Sequence, residues 1–204
     1  MMNRRKFFRN GSLFTLGTAF ISPFQATAAP STPEVSTKNN KAKNIILLVS
    51  DGMSSGTLNM ADLYLNRKTG VGSNWLQLYK DNRVARALMD TASASSIVTD
   101  SAAASSSWGG GFRVKNGSLN VGPDGQEYLP IWQKFKMKGK MAGCVTTVPI
   151  THATPAGFCV NSKSRNSQED IAEQYLRLGF DIMMGGGQKY FDAASRKDQK
   201  DMYA

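Results

Sequence analysis

The chain has 204 residues, of which 41% are hydrophobic and 20% charged, a balance that suits a globular protein with a real core and excludes a disordered chain. Its formal net charge of +10 comes from 25 Lys and Arg against 15 Asp and Glu. No basic stripe is interleaved with aromatic residues, so we expect no nucleic acid partner.

Residues 1–28 have the pattern of an export signal peptide. A cationic start precedes a short apolar stretch, too short to span a bilayer as a helix, and an A-x-A cleavage site lies at 26–28. Arg4 and Arg5 resemble a twin-arginine export signal, with an ordinary secretory leader as the alternative. We therefore expect a periplasmic or secreted protein with no membrane anchor after cleavage. Residues 29–43, rich in Pro, Ser, Thr, Asn and Lys, are predicted to be a disordered linker.

Beyond the linker, apolar runs alternate with helical patterns. The continuous apolar run over 45–49 predicts a strand buried on both faces, as in a parallel sheet, and a helix over 57–65 follows it. The later predicted elements are a helix from Leu129-Pro130 to near Gly139, a strand over 141–147, a helix capped by Ser167 and ended by Gly179, and a strand over 180–184. This order predicts an α/β fold with a mostly parallel central sheet flanked by helices.

Two predicted strand ends carry candidate catalytic residues. Asp51 follows the first apolar run, where a carboxylate can bridge two cations; a turn or helix-capping aspartate is the alternative. In the string 98–104, a short β-prone run ends at Asp100 and Ser101, and a helix of small residues follows up to the glycines at 109–111. Ser101 is therefore expected near a helix N-terminus, which favours an alkoxide and binds phosphate, and the small residues let another backbone come close. A serine that merely caps an Ala-rich helix explains Ser101 but not the whole string.

The second half of the chain adds weaker candidates. His152 is the only histidine, and in an extended segment it points the same way as Thr154; a lone histidine is either a metal ligand or structural. Arg165 lies in a polar stretch before a helix, where its forked guanidinium could bind a phosphate or stay solvated. Cys144 and Cys159, the latter in a predicted helix, either pair in an oxidising compartment or remain separate buried thiols.

Together these segments resemble the alkaline phosphatase family in order and spacing. The strings that carry the resemblance are Val98-Thr99-Asp100-Ser101-Ala102-Ala103, which is similar to the family's nucleophile signature, Asp51-Gly52-Met53, His152 to Gly157, and Gly185 to Tyr190. The resemblance covers roughly residues 43–191.

The resemblance implies metal-dependent hydrolysis of small-molecule phosphate monoesters through a phosphoserine on Ser101. Asp100 and Arg165 are implied to bind the phosphate, and the implied metal ligands are Asp51, Thr154, His152 and Ser101. The implied cofactors are two zinc ions and one magnesium ion, and the implied assembly is a homodimer when full length. The alternatives are a phosphodiesterase or sulfatase-type member of the superfamily, and an inactive phosphate- or metal-binding fragment.

Two departures from the family pattern shape these expectations. At the position of His152 the enteric bacterial enzymes have an aspartate, whereas the animal enzymes resemble this chain in having a histidine. Zinc is therefore an alternative to magnesium at the third site. The family draws further aspartate, glutamate and histidine ligands from a later part of the chain, and no second histidine is present here. We therefore expect residues 44–204 to be the N-terminal part of the catalytic domain, with an incomplete sheet, and the 204-residue chain to be inactive alone.

Overall fold

A computed structural model describes residues 42–200 and 202. The predicted signal peptide over 1–28 and nearly all of the predicted linker over 29–43 therefore lie outside the described residues. The chain divides into two units, Met1–Leu48 and Val49–Ala204. In the first unit, the described residues 42–48 form neither helix nor strand.

The prediction of a buried strand over 45–49 is wrong for this structure. Ile46 and Leu48 are 83% and 84% exposed, and no strand is assigned to the run. A strand buried on both faces depends on neighbours that supply ladder hydrogen bonds and on layers that cover it. The apolar composition of a run therefore does not by itself decide that it forms a strand.

Within the described residues of the second unit, seven helices and strands precede a final strand and a 3₁₀ turn. In chain order they are α1 (Ser55–Thr69), α2 (Asn74–Lys80), α3 (Ser101–Gly110), α4 (Ile131–Met137), β1 (Gly143–Pro149), α5 (Ala153–Ala156) and α6 (Gln168–Leu178), followed by β2 (Ile182–Gly186) and a 3₁₀ turn over Gln188–Tyr190. The predicted helices over 57–65 and from Pro130 to Gly139 correspond to α1 and α4. The predicted strands over 141–147 and 180–184 each begin two residues later, as β1 and β2.

β1 and β2 pair in parallel, with Gly143 opposite Ile182 and Pro149 opposite Gly186. The chain between them passes through α5 and α6, the crossover that a parallel pair requires. The α/β class is therefore confirmed, while the sheet has two strands within residues 42–200.

The hydrophobic core includes buried side chains of α6 and α4. Ile171 and Tyr175 are buried and lie one turn apart on the same face of α6. The Phe180 ring stacks on Trp132 at 4.1 Å between centroids and meets the Tyr175 ring edge-on at 4.9 Å. Ser167 holds the predicted N-cap position of α6, but its side chain makes no capping hydrogen bond. Gly179 ends the helix as predicted, with φ of 64°.

The two cysteines are free thiols. Cys159 lies in a turn after α5, not in the helix predicted for it, because α5 ends at Ala156. Burial, the largest cause, raises the pKa of the Cys159 thiol well above its usual value, which keeps the thiol protonated and unreactive. Within residues 42–200, no helix is both long and apolar enough to cross a membrane.

Candidate functional site

Ser101 is the first residue of α3. Asp100 is the N-cap, and its Oδ1 accepts a hydrogen bond from Ala103 N at 2.9 Å, so the reading of Ser101 as a helix cap is wrong. The predicted β-prone run before it is irregular. Among the described residues, none accepts a hydrogen bond from the N–H of Ser101 or Ala102. The start of α3 therefore presents free amides and the positive end of the helix dipole beside the Ser101 hydroxyl, an arrangement that favours an anion.

The small residues of α3 allow another backbone to come close, as the sequence predicts. Ser105 Oγ donates to Ala153 O at 2.9 Å. A Cβ placed on Gly109 would lie 2.7 Å from Phe158 Cα, closer than carbon atoms approach. The hydrogen bond from Ser105 joins α3 to the first residue of α5, and the close approach at Gly109 packs α3 on the chain just after α5. The helix that carries Ser101 and the helix that carries Thr154 therefore form one packed pair.

Asp51 lies in a turn with Gly52, whose φ is 65°, and accepts two side-chain hydrogen bonds. Its Oδ2 accepts from Ser101 Oγ at 2.8 Å and from Thr154 Oγ1 at 3.0 Å. The hydrogen bond from Ser101 is the largest cause of the shift and lowers the pKa of Asp51. Burial, the next largest cause, opposes the shift, and the hydrogen bond from Thr154 adds to the lowering. Asp51 is therefore an ionised carboxylate with two hydroxyls directed at one oxygen.

Thr154 belongs to α5, and His152 is its N-cap. The prediction that both residues share an extended segment is wrong, because the chain turns into a helix at Ala153. Pro155 is compatible with that helix, since its missing N–H falls in the first turn, where donors lack intrahelical acceptors.

Arg165 bridges Asp100 and His152. Its Nη1 donates to Asp100 Oδ2 at 3.1 Å, and its Nη2 lies 3.2 Å from His152 Nε2. Arginine only donates, so His152 Nε2 is the acceptor and the ring is neutral. Burial, followed by the positive charge of Arg165, lowers the pKa of His152, while Asp51 opposes the shift. The other ring nitrogen, Nδ1, is buried without a hydrogen-bond partner among the described residues.

The residues around Asp51 fit part of a metal site. Asp51 Oδ2 lies within hydrogen-bonding distance of both Ser101 Oγ and Thr154 Oγ1. Hard divalent cations take oxygen ligands of this kind. The neutral imidazole of His152 is a ligand type that suits zinc. Across residues 42–200 and 202, however, no three or more His, Cys, Asp and Glu side chains gather into a metal cluster. The described residues therefore provide some ligands of a site, not a closed set.

Sequence reasoning missed one structural part of this site, the turn at Asn116 and Gly117. Gly117 N donates to Asp100 Oδ2 at 2.9 Å, and Asn116 contacts the segment just before Ser101. The Asn-Gly dipeptide is a turn signal and could have indicated a turn here. Nothing in the sequence indicates that this turn touches Asp100.

Comparisons with known proteins place this geometry in context. A family model described as alkaline phosphatase matches residues 42–203. The protein named alkaline phosphatase 3 of Bacillus subtilis (strain 168) is 34% identical over 189 residues, which cover 86% of this chain and 40% of that relative. The chain thus spans well under half the length of this relative.

Solved structures of alkaline phosphatases are also similar to this chain. The crystal structure of Thermus thermophilus alkaline phosphatase is 39% identical, with a TM-score of 0.71 over 74% of this chain and 32% of that one. A variant of the alkaline phosphatase from the Antarctic bacterium TAB5, in which a histidine is replaced by aspartate, is 28% identical with a TM-score of 0.60, over 71% of this chain and 40% of that one. That variant has magnesium bound in a site called M3.

Proposed function

Because the chain belongs to the alkaline phosphatase family, we propose that it contributes the nucleophile-bearing part of an enzyme that hydrolyses phosphate monoesters through a phosphoserine on Ser101. The observation that carries the proposal is the contact of Ser101 Oγ with Asp51 Oδ2 at 2.8 Å, with Arg165 held 3.1 Å from Asp100 next to it. Phosphoryl transfer uses a nucleophile, a carboxylate and a guanidinium placed at a helix N-terminus in this way.

In the proposed reaction, Ser101 Oγ bonds to phosphorus while the ester P–O bond breaks and the alcohol leaves with a proton. Water then attacks the phosphoserine, the bond between phosphorus and Ser101 Oγ breaks, and inorganic phosphate is released. Asp51 orients the hydroxyl but is a poor base, because its hydrogen bonds lower its pKa. Its part is to hold Ser101 Oγ in line before the bond forms.

Arg165 is the proposed clamp on the phosphate. Its guanidinium has five donors in a fixed fork, and Asp100 occupies only one side of it. The free amides at the start of α3 would face the same oxygens. The His152 contact at 3.2 Å holds the other side of the fork and would yield to the incoming oxygens, which accept more strongly because they are charged.

The proposed cofactors are two zinc ions and one magnesium ion, with Asp51, Ser101, Thr154 and His152 among their ligands. When bound, such ions lower the pKa of a coordinated hydroxyl or water and neutralise charge on the phosphoryl oxygens. Histidine favours zinc over magnesium, so His152 makes zinc the alternative at the third site. The histidine-to-aspartate variant of the TAB5 enzyme has magnesium bound in its M3 site, which agrees with the preference of magnesium for oxygen ligands. The part of the chain described here would not hold the ions tightly alone.

We propose small-molecule phosphate monoesters as substrates, a homodimer as the assembled form, and a periplasmic or secreted location reached through the signal peptide over 1–28, by twin-arginine export. Residues 29–43 would then link the cleavage site to the catalytic domain that begins at residue 44. A mature protein built this way would carry no membrane anchor from its leader.

The proposal is tested by Ser101→Ala, made in the protein expressed from its complete gene and loaded with zinc and magnesium. We expect turnover of a simple phosphate monoester to fall by roughly 1000-fold or more, because the variant lacks the hydroxyl that forms the proposed phosphoserine. Bound metal should stay near the wild-type amount. Ser107→Ala is the control, since Ser107 lies on the same helix and its Oγ donates to Ala103 O, away from Asp51. Wild-type turnover in Ser101→Ala would reject the assignment.

A further inference from the structure

We propose that Asn116 is a positioning residue that fixes the nucleophile segment, an inference that rests on the function proposed above for Ser101. Its side chain bridges two backbone groups on either side of Thr99. Asn116 Oδ1 accepts from Asp100 N at 3.3 Å, and Asn116 Nδ2 donates to Val98 O at 3.0 Å. Both the oxygen and the nitrogen of the Asn116 side-chain amide are therefore hydrogen-bonded to this segment, and Ser101 directly follows Asp100.

The segment needs such a brace because it lacks regular structure. Ile97 and Val98 are 90% and 72% exposed, and residues 97–99 belong to no strand, so no ladder of hydrogen bonds holds them. The helix begins only at Ser101. Among the described residues, the Asn116 side chain makes the hydrogen bonds that fix Val98 O and Asp100 N.

Asn116 is itself held from both sides. Its backbone N–H donates to Ser95 Oγ at 3.0 Å, and it lies in a turn closed by a bond from Ser118 N to Lys115 O at 3.1 Å. Gly117, the third residue of that turn, has φ of 87°, the left-handed value that a type II turn requires at this position. The brace therefore depends on the Asn-Gly pair and not on side-chain packing.

Gly117 extends the same support to the phosphate clamp. Its N–H donates to Asp100 Oδ2 at 2.9 Å, the oxygen that also accepts from Arg165 Nη1. Its carbonyl accepts from Arg165 N at 2.7 Å. One turn thus fixes the backbone before Ser101 through Asn116, and the Asp100–Arg165 pair through Gly117. Loss of the Asn116 side chain should loosen the nucleophile while leaving the clamp in place.

The test compares Asn116→Ala and Asn116→Asp with the wild type in the metal-loaded protein from its complete gene. Asn116→Ala removes both bonds; Asn116→Asp keeps an acceptor for Asp100 N but sets an oxygen against Val98 O. We expect kcat/KM to fall by roughly 5- to 30-fold in each, the range that one or two hydrogen bonds support. Inhibition by inorganic phosphate, which reports the clamp, should change by less than about 3-fold.

A readout independent of turnover is amide hydrogen exchange over residues 98–103. It should speed up in Asn116→Ala, because Asp100 N loses its acceptor. Asn161→Ala is the matched control, because the Asn161 amide also donates to two backbone carbonyls, those of Asn120 and Tyr128. Loss of this side chain should lower stability without changing kcat/KM or the hydrogen exchange over residues 98–103.

Unchanged exchange in Asn116→Ala would overturn the brace whatever the activity. Faster exchange with wild-type kcat/KM in both Asn116 variants would overturn its role in catalysis. A wild-type protein with no phosphatase turnover, but with faster exchange in Asn116→Ala alone, would reject the proposed function while supporting the brace. An equal effect of Asn161→Ala on exchange and kcat/KM would reduce Asn116 to a general structural role and overturn the proposal.

Discussion

Replacing Gly109 by alanine tests how closely the nucleophile helix packs on the chain after α5. The added Cβ would lie 2.7 Å from Phe158 Cα and 2.9 Å from Gly157 C, and would also meet Gly157 O. Optimal carbon–carbon separations are about 3.5–4.0 Å, so the two backbones must separate by roughly 0.8 Å or more. The three nearest atoms all belong to the backbone, so these contacts cannot be relieved by a side chain that changes its rotamer.

The expected cost follows from two opposing terms. Overpacking of this kind lowers the free energy of unfolding by about 1–3 kcal/mol. The higher helix propensity of alanine over glycine raises it by at most about 1 kcal/mol. We expect a net loss of about 1–2 kcal/mol in the free energy of unfolding. Gly109 and Ser101 belong to one continuous helix, so we expect a displacement at Gly109 to shift Ser101 relative to Asp51 and kcat/KM to fall by roughly 10- to 100-fold.

Thermal unfolding and steady-state kinetics of the purified, metal-loaded variant measure both effects. Gly56→Ala is the control, because Gly56 is also helical and its Cβ would meet only Ser54 Oγ at 3.5 Å, an ordinary contact. That change should leave kcat/KM unchanged and stability unchanged or slightly raised. A Gly109→Ala variant with wild-type midpoint and kcat/KM would refute the close packing of α3.

Two further predictions concern charged groups. Arg165→Lys keeps the charge but loses the fork shared with Asp100, so the inhibition constant of inorganic phosphate should rise by roughly 10- to 100-fold; an unchanged constant would remove Arg165 from the phosphate site. The hydrogen bond from Arg196 lowers the pKa of Asp198 from 3.8 to about 2, so its stabilising contribution is present above pH 3.8 and is lost as the pH falls through about 2. The gap in unfolding midpoint between wild type and Asp198→Asn should therefore stay constant in neutral buffers and narrow below about pH 4; a gap that widens on acidification would contradict this sign.

Local sequence signals predicted four of the helices in the described residues, α1, α3, α4 and α6, but not α2 or α5. The small residues after Ser101 and the glycines that follow predict α3, and its end at Gly110, with Gly111 in the left-handed region, is what those glycines favour. The predicted end of α6 at Gly179 has the same cause. In both cases the residues that decide the structure lie within a few positions of it.

The strand over 45–49 and the extended segment at His152 were not predictable in the same way. A buried strand is defined by neighbours distant in sequence, so an apolar run alone does not decide its state. At His152, the short helix that includes Pro155 overrides the alternation expected from an extended chain.

The candidate site could be predicted as a set of residues but not as a set of contacts. Asp51, Ser101 and Thr154 do converge, over separations of 50 and 103 positions. The link from Arg165 to His152, and the brace from Asn116 to Val98 and Asp100, depend on where loops fold back, which no local pattern encodes.

The central claim, that Ser101 is the nucleophile, is tested most directly by trapping its phosphorylated form. The metal-loaded protein from the complete gene is mixed with a phosphate monoester, quenched in acid during turnover, digested and analysed by mass spectrometry. We expect one phosphate on the peptide that contains Ser101, absent from Ser101→Ala and present in Ser107→Ala. A phosphate on another residue, or full turnover with no phosphopeptide in any sample, would contradict it.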